Sequence, residues 1–466
     1  MKKVVSILIG LIMLVASFGV LPACVKPGSE GYKLTVGYDK GGYGQLWIEN
    51  ALKAFCAQEG LDYEKDVYLD AEKGYMETVV EKLSNNIQVR DVILGSGTGF
   101  IEWVSKGWVE PITSVYDATL SNGKTVLEMT KDPAMREVGK YKDEYYQLSS
   151  ANGAWGIYYN KTMFEEKGWE VPKTYDELLA LCETIYQSHV KNVAEADRIY
   201  PFGCSSDIFN YWDFLVQNWI GQLLGPDGYA EFAKQENKDV YDFESVYGQA
   251  KFKALQAFER IVEEHDGAYV KSQSSGFMAL QMLFTQGKIA MMPNGNWFEN
   301  EVLSSLPAGM EIALMSTPVI EGAKTDADGN PIKVNYAGEV SGWFIPAAAK
   351  NKDMAKKFMI FMAEEQQCKN MIKDSGMMPG YKYDYSDIYD SLTVCQKSVY
   401  DALNDAQSFA FVSTSVVSKA GLGFWAKGQP YDAMLTGTQM SAEDVVRAEE
   451  TYVEAEWNWY VEHGNL

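Results

Sequence analysis

The stretch Lys33-Leu34-Thr35-Val36-Gly37-Tyr38-Asp39-Lys40-Gly41-Gly42-Tyr43-Gly44 holds the reading that decides the fold. Residues 33–38 have the short apolar character of a strand, 39–44 form a glycine-rich turn, and 45–58 carry Leu46, Ile48, Leu52 and Phe55 at helical spacing. The same alternation continues outward. Residues 66–69 read as extended, 74–84 as helical, and 91–94 as a buried strand entering Gly95-Ser96-Gly97. This βαβα rhythm predicts an α/β protein with mostly parallel sheets flanked by helices. Ligands on such sheets sit beyond the carboxyl ends of the strands, so the loops 39–44 and 95–99 become candidates for one wall of a site. Neither loop has the GxGxxG spacing of a dinucleotide fingerprint or the lysine of a phosphate-cradling loop.

Composition narrows the class of ligand. The chain has 466 residues and a net charge of −23, which repels nucleic acid and anionic headgroups and leaves a neutral or cationic partner. Twelve Trp and 29 Tyr join a flat apolar face to a polar tip, a combination suited to sugars, although most must serve packing. With three histidines, a histidine-rich metal centre or a shuttle-based hydrolase is disfavoured. Cys56, Cys182, Cys204, Cys368 and Cys395 match no zinc or CxxC spacing and are expected to be mostly buried thiols, with room for one disulfide.

The amino terminus fixes the compartment. Lys2 and Lys3 precede an apolar run over 4–20 and then Leu21-Pro22-Ala23-Cys24. A positive start, a hydrophobic stretch and small residues before a break read as a secretory signal over 1–23. The segment 21–24 resembles a bacterial lipobox, which implies lipidation of Cys24 and a membrane-tethered protein, with 24–30 as the tether. The competing reading is a transmembrane anchor, since 4–23 is nearly long enough to span a bilayer. The remainder is too long for one simple core and suggests two large lobes.

The middle of the chain is richer in helices. Thr174 with Glu177 three residues on forms a capping box opening a helix over 175–186, and 244–264 carries Phe252, Leu255, Phe258 and Ile261 on one face. Asp326-Ala327-Asp328-Gly329-Asn330-Pro331 lacks the spacing and closing Glu of a calcium loop and reads as a hairpin turn.

Four further segments carry a resemblance. They are Trp155-Gly156-Ile157-Tyr158-Tyr159-Asn160-Lys161 with the helix opening at Pro172; Phe284-Thr285-Gln286-Gly287-Lys288-Ile289-Ala290-Met291-Met292 followed by Asn294-Gly295-Asn296-Trp297; Gly342-Trp343-Phe344-Ile345-Pro346; and the helix 355–364. In this order they resemble the extracellular solute-binding proteins of sugar ABC transporters, across essentially the whole mature chain. The resemblance implies two discontinuous lobes joined by about three crossings and closing on a ligand by a hinge. The crossings are expected near 154–158, 315–319 and 375–380, giving lobe one as 30–154 and 319–375 and lobe two as 155–318 and 376–466.

The resemblance also implies site residues. Trp297 matches the family's ligand-stacking tryptophan after Asn-Gly. Tyr211 and Trp212 lie where family members place aromatics under the sugar, yet Trp212, Leu215 and Trp219 share helical spacing, which suits core packing equally. Asp39 and Lys40 align with an Asp-Lys pair that bonds sugar hydroxyls, with Tyr43 on the same loop; a carboxylate can accept two such bonds. Ser96 replaces an aromatic, which points to a different ligand or merely to a tight turn. Asn152, Glu339, Trp343 and Trp425 complete the set.

The implied function is capture of a sugar or short oligosaccharide and delivery to ABC permease subunits, by a monomer without cofactor, resident metal or catalytic activity. The rival enzyme reading, a secreted glycosidase, needs two carboxylates roughly 5 to 10 Å apart across the scissile bond. A third reading keeps the fold and binds peptide, polyamine or metal.

Overall fold

The structure, a computed structural model, describes residues 31–95, 100–131, 139–205, 211–234, 237–273, 276–334, 337–405, 410–411, 434 and 440–463. In chain order the strands are β1 (Leu34–Asp39), β2 (Val67–Glu72), β3 (Val92–Gly95), β4 (Lys140–Tyr141), β5 (Glu144–Tyr145), β6 (Leu148–Asn152), β7 (Trp155–Asn160), β8 (Tyr200–Ser205), β9 (Val270–Gln273), β10 (Ile289–Gly295), β11 (Ile312–Met315), β12 (Ala337–Phe344), β13 (Met378–Pro379) and β14 (Ala410–Phe411). One sheet has the order β13-β6-β12-β3-β1-β2, with β14 on β12; the other has the order β11-β7-β10-β8-β9.

Each sheet is the base of a lobe, and the sheets are mixed rather than mostly parallel. β1 lies parallel to β2 and β3, and β8 parallel to β9 and β10, because helical crossovers return the chain to the same end. β7 and β12 enter from the opposite lobe and pair antiparallel with their neighbours, β7 with β10 and β11, and β12 with β3 and β6.

Local sequence explains the elements near the cleft. Helix Leu46–Glu59 buries Trp47, Ile48, Ala51, Leu52, Phe55 and Cys56 on one face and ends on Gly60 in the left-handed conformation, which spares the strain a Cβ would bring. Helix Tyr175–His189 carries the expected capping box of Thr174 and Glu177. Residues 326–330 form the expected turn: Asp326 Oδ1 accepts from the backbone N–H groups of Asp328 and Asn330.

The crossings fall at different places from those expected. Only the first, between β6 and β7, lies close to its position, at Gly153-Ala154. Residues 319–334, expected in lobe one, stay on lobe two. Val319 N–H donates to Lys173 O, Lys324 N–H to Gln222 O, and Ile320 packs in the core under the second sheet. The chain re-enters the first sheet at β12 because only there does backbone pairing with β3 and β6 begin. The third crossing also comes later than 375–380. Tyr381 donates to Ser149 O and Tyr383 to Ala363 O, both in lobe one, and contact with β11 starts only in helix Val394–Asn404, where Leu314 N–H donates to Ser398 Oγ.

Cys56, Cys182, Cys368 and Cys395 are buried free thiols. Cys24 and the leader and tether lie outside the described residues, and among those described no helix is long and apolar enough to cross a membrane.

Candidate functional site

A cleft of about 340 Å³ lies between the sheets, and its walls come from both lobes. Lobe one supplies Tyr38 and Asp39 from the carboxyl end of β1, Gly41, Gly42 and Tyr43 from the following turn, Met76, and Leu94 and Gly95 from the end of β3. Lobe two supplies Tyr211, Trp297 and Glu301, and Met377 closes the base. The carboxyl ends of β1 and β3 thus line the cleft, and residues 96–99 lie outside the described residues.

Trp297 is the centre of the aromatic wall. Its half-buried ring meets Tyr43 at 6.1 Å, Trp155 at 6.1 Å, Tyr211 at 6.0 Å and Phe214 at 6.1 Å, mostly edge to face. Two glycines make room for it. A Cβ on Gly295 would stand 2.3 Å from Trp297 Cη2, and one on Gly42, which has φ +70°, would stand 3.1 Å from Trp297 Cβ. A bulkier residue at either place would push the indole out of position.

Asp39 lines the cleft, but its carboxylate already receives backbone N–H groups. Oδ1 accepts from Gly41 at 3.1 Å and Gly74 at 3.3 Å, and Oδ2 from Met76 at 3.4 Å. It therefore shapes the turn as much as it faces a ligand. Glu301 is the second cleft carboxyl. Burial pushes it above the usual carboxylate range, opposed by the Gln281 amide that donates to it at 2.7 Å and by Lys73. The described lining contains no lysine or arginine.

Of the residues expected at the site, Trp297, Tyr211, Asp39 and Tyr43 converge here. Three do not. Trp212 is 0% exposed and packs on Phe202 and Phe258, because the helical face it shares with Leu215 and Trp219 turns into the second core. Trp343 is 1% exposed and packs on Trp47 and Phe358 under the first sheet, the inward side of β12 at that register. Lys40 is exposed and absent from the lining. Ser96 and Trp425 lie outside the described residues. For Asn152 and Glu339 only the backbones are described; they are register partners on β6 and β12, and Met378 of β13 pairs Asn152 from its other side.

Sequence reasoning missed Tyr38, Met76, Glu301, Met377, Trp155 and Phe214. Trp155 directly follows Ala154 of the first crossing, and its aromatic character was the available signal. Glu301 follows Trp297 by one helical turn, so the spacing could have placed it on the same face.

Residues 49–367 match the family of bacterial extracellular solute-binding proteins, and the chain belongs to that family. The diacetylchitobiose binding protein of Streptomyces coelicolor is 24% identical over 268 residues, 57% of this chain and 52% of that protein. The multiple sugar-binding protein of Streptococcus mutans is 26% identical over 268 residues, 56% of this chain and 55% of the relative. The chain thus spans about half the length of these curated relatives. Among solved structures, the solute-binding protein RafE in complex with raffinose superposes with a TM-score of 0.62 at 17% identity, covering 91% of this chain and 98% of that one. The GacH receptor of Streptomyces glaucescens, solved unliganded and with acarbose, gives 0.63 at 14% identity, covering 92% and 98%. At these identities the likeness establishes the two-lobed fold.

Proposed function

We propose that this protein is the substrate-binding component of an ABC importer that captures a neutral sugar or short oligosaccharide in the inter-lobe cleft and passes it to membrane permease subunits. The observation that carries this reading is a cleft in which Tyr43 and Asp39 of lobe one meet Trp297, Tyr211 and Glu301 of lobe two, with no lysine or arginine in its described lining. Ring faces shed water against the C–H surfaces of a sugar while carboxyl and hydroxyl groups bond its hydroxyls. The sugar-binding names of the relatives support the same ligand class. The ligand touches both lobes only when they are shut, so its differential affinity draws the population toward the closed form. Lipidation at Cys24 holds the monomeric receptor at the outer membrane surface beside its permease.

Binding without catalysis separates this reading from the glycosidase. A thermal-shift screen of the purified chain against a panel of neutral glycans tests it: a true ligand raises the melting temperature in step with saturation. The expected result is a rise with at least one oligosaccharide and no cleavage on prolonged incubation. A rise with peptides or polyamines and none with glycans would overturn it.

A further inference from the structure

The residue before the central tryptophan is held by a set of buried hydrogen bonds. Asn296 is 3% exposed, and its side-chain amide touches three separate parts of the chain. Its Oδ1 accepts from the Tyr43 hydroxyl at 2.8 Å, on the turn of lobe one, and from the Ala154 N–H at 3.4 Å, in the first crossing. Its Nδ2 donates to the Gly376 carbonyl at 2.9 Å, at the end of helix Glu365–Ser375. The partners fix the orientation of the amide. An N–H at Ala154 requires the oxygen and a carbonyl at Gly376 requires the nitrogen, so a flipped side chain would oppose two donors and two acceptors. Beside it, Asn300 Nδ2 donates to Ser375 O, so two asparagines of lobe two hold the same stretch next to Met377, which lines the cleft.

We propose that Asn296 is the positioning residue that couples the tryptophan wall to lobe closure, with the Tyr43 hydroxyl as the contact made when the lobes shut. This rests on the reading of the cleft as a solute site and names how that site is regulated. The bond to Ala154 ties Asn296 to the crossing and therefore persists as the lobes part, while the bond to Gly376 meets lobe one at the carboxyl end of helix Glu365–Ser375, beside Met377. The bond to Tyr43 spans the cleft itself, since Tyr43 follows β1 and Asn296 follows β10. Tyr43 also sets its ring edge against Trp297, so a ligand resting on that indole and the latch beside it favour the same closed arrangement. A buried hydroxyl with an acceptor only in the closed state gives closure a preference that apolar contacts lack.

The test uses the full secreted chain with Tyr43→Phe, Asn296→Ala and the double variant. Calorimetry with the saccharide found by the screen gives affinity, and small-angle scattering with and without it gives the radius of gyration. Tyr43→Phe is expected to weaken binding about fivefold, the scale of one buried hydrogen bond. It is also expected to enlarge the unliganded protein's average dimensions while the far-ultraviolet spectrum stays unchanged. The double variant should bind no more weakly than Asn296→Ala, because both substitutions remove one contact. Fully additive losses, or Tyr43→Phe matching the parent in affinity and dimensions, would overturn the latch. Should no saccharide bind the parent chain, the unliganded scattering decides: larger dimensions for Tyr43→Phe support the latch although the sugar reading has failed, and identical dimensions overturn it. Asn296→Asp keeps the acceptor for Tyr43 and loses the donor to Gly376. It should retain the coupling with Tyr43 that Asn296→Ala abolishes, and its failure to do so also counts against the latch.

Discussion

Trp297→Ala lowers saccharide affinity by about 100-fold or more while leaving the fold intact, and isothermal calorimetry on the purified variant measures it. The size follows from the position of the ring. Aromatic anchors at the centre of a desolvated contact cost roughly 2 to 4 kcal/mol when truncated, and Trp297 is the ring on which Tyr43, Trp155, Tyr211 and Phe214 converge. Alanine removes the stacking face and also leaves a gap that water enters, so the neighbouring rings lose their edge contacts. The indole is only half-buried and packs against the first core from its border, so the unliganded melting temperature should move little. Trp297→Phe keeps a smaller face and should recover part of the affinity. Wild-type affinity in Trp297→Ala would remove this residue from the binding wall.

Arg90→Met destabilises lobe one by about 3 to 5 kcal/mol, read from denaturant melts. Arg90 and Asp70 are both buried; Nε and Nη2 of the guanidinium donate to Asp70 Oδ2 at 3.0 and 2.8 Å, and the guanidinium lies 4.8 Å from the centre of the Tyr68 ring. The pair joins β2 to the segment entering β3, the two strands on either side of β1. Removing the cation takes its charged partner from a carboxylate that is 3% exposed. Replacing both partners by apolar residues, Asp70→Leu with Arg90→Met, leaves no stranded charge and should recover most of the loss. A single variant as stable as the parent would show that Asp70 finds other compensation. Because the pair is far in kind from the cleft chemistry, the affinity of the folded fraction should not change.

The periodic elements were legible from local sequence. The strand at 33–38, the helix after it and the capping box at Thr174 depend on spacing and on side chains within one turn, which the chain displays directly. The lobe boundaries were not. Residues 319–334 hold no local mark of their lobe, and their place is set by Lys173 and Gln222, over 90 residues or more. The aromatics show the same limit. Trp212, Trp297 and Trp343 have one side chain and three fates, decided by which face of a helix or strand meets a core. Helical spacing warned of burial for Trp212, and nothing local warned of it for Trp343. The wall residues Met76, Glu301 and Met377 come together only through tertiary folding, so no single motif contained them.

The measurement that bears most directly on the account is a crystal structure of the chain with the saccharide that gives the largest thermal shift. A pyranose face is expected on the Trp297 indole, with its hydroxyls toward Asp39 and Glu301 and the lobes closed around it. A saccharide bound elsewhere on the surface, with the cleft between the sheets left empty, would contradict it.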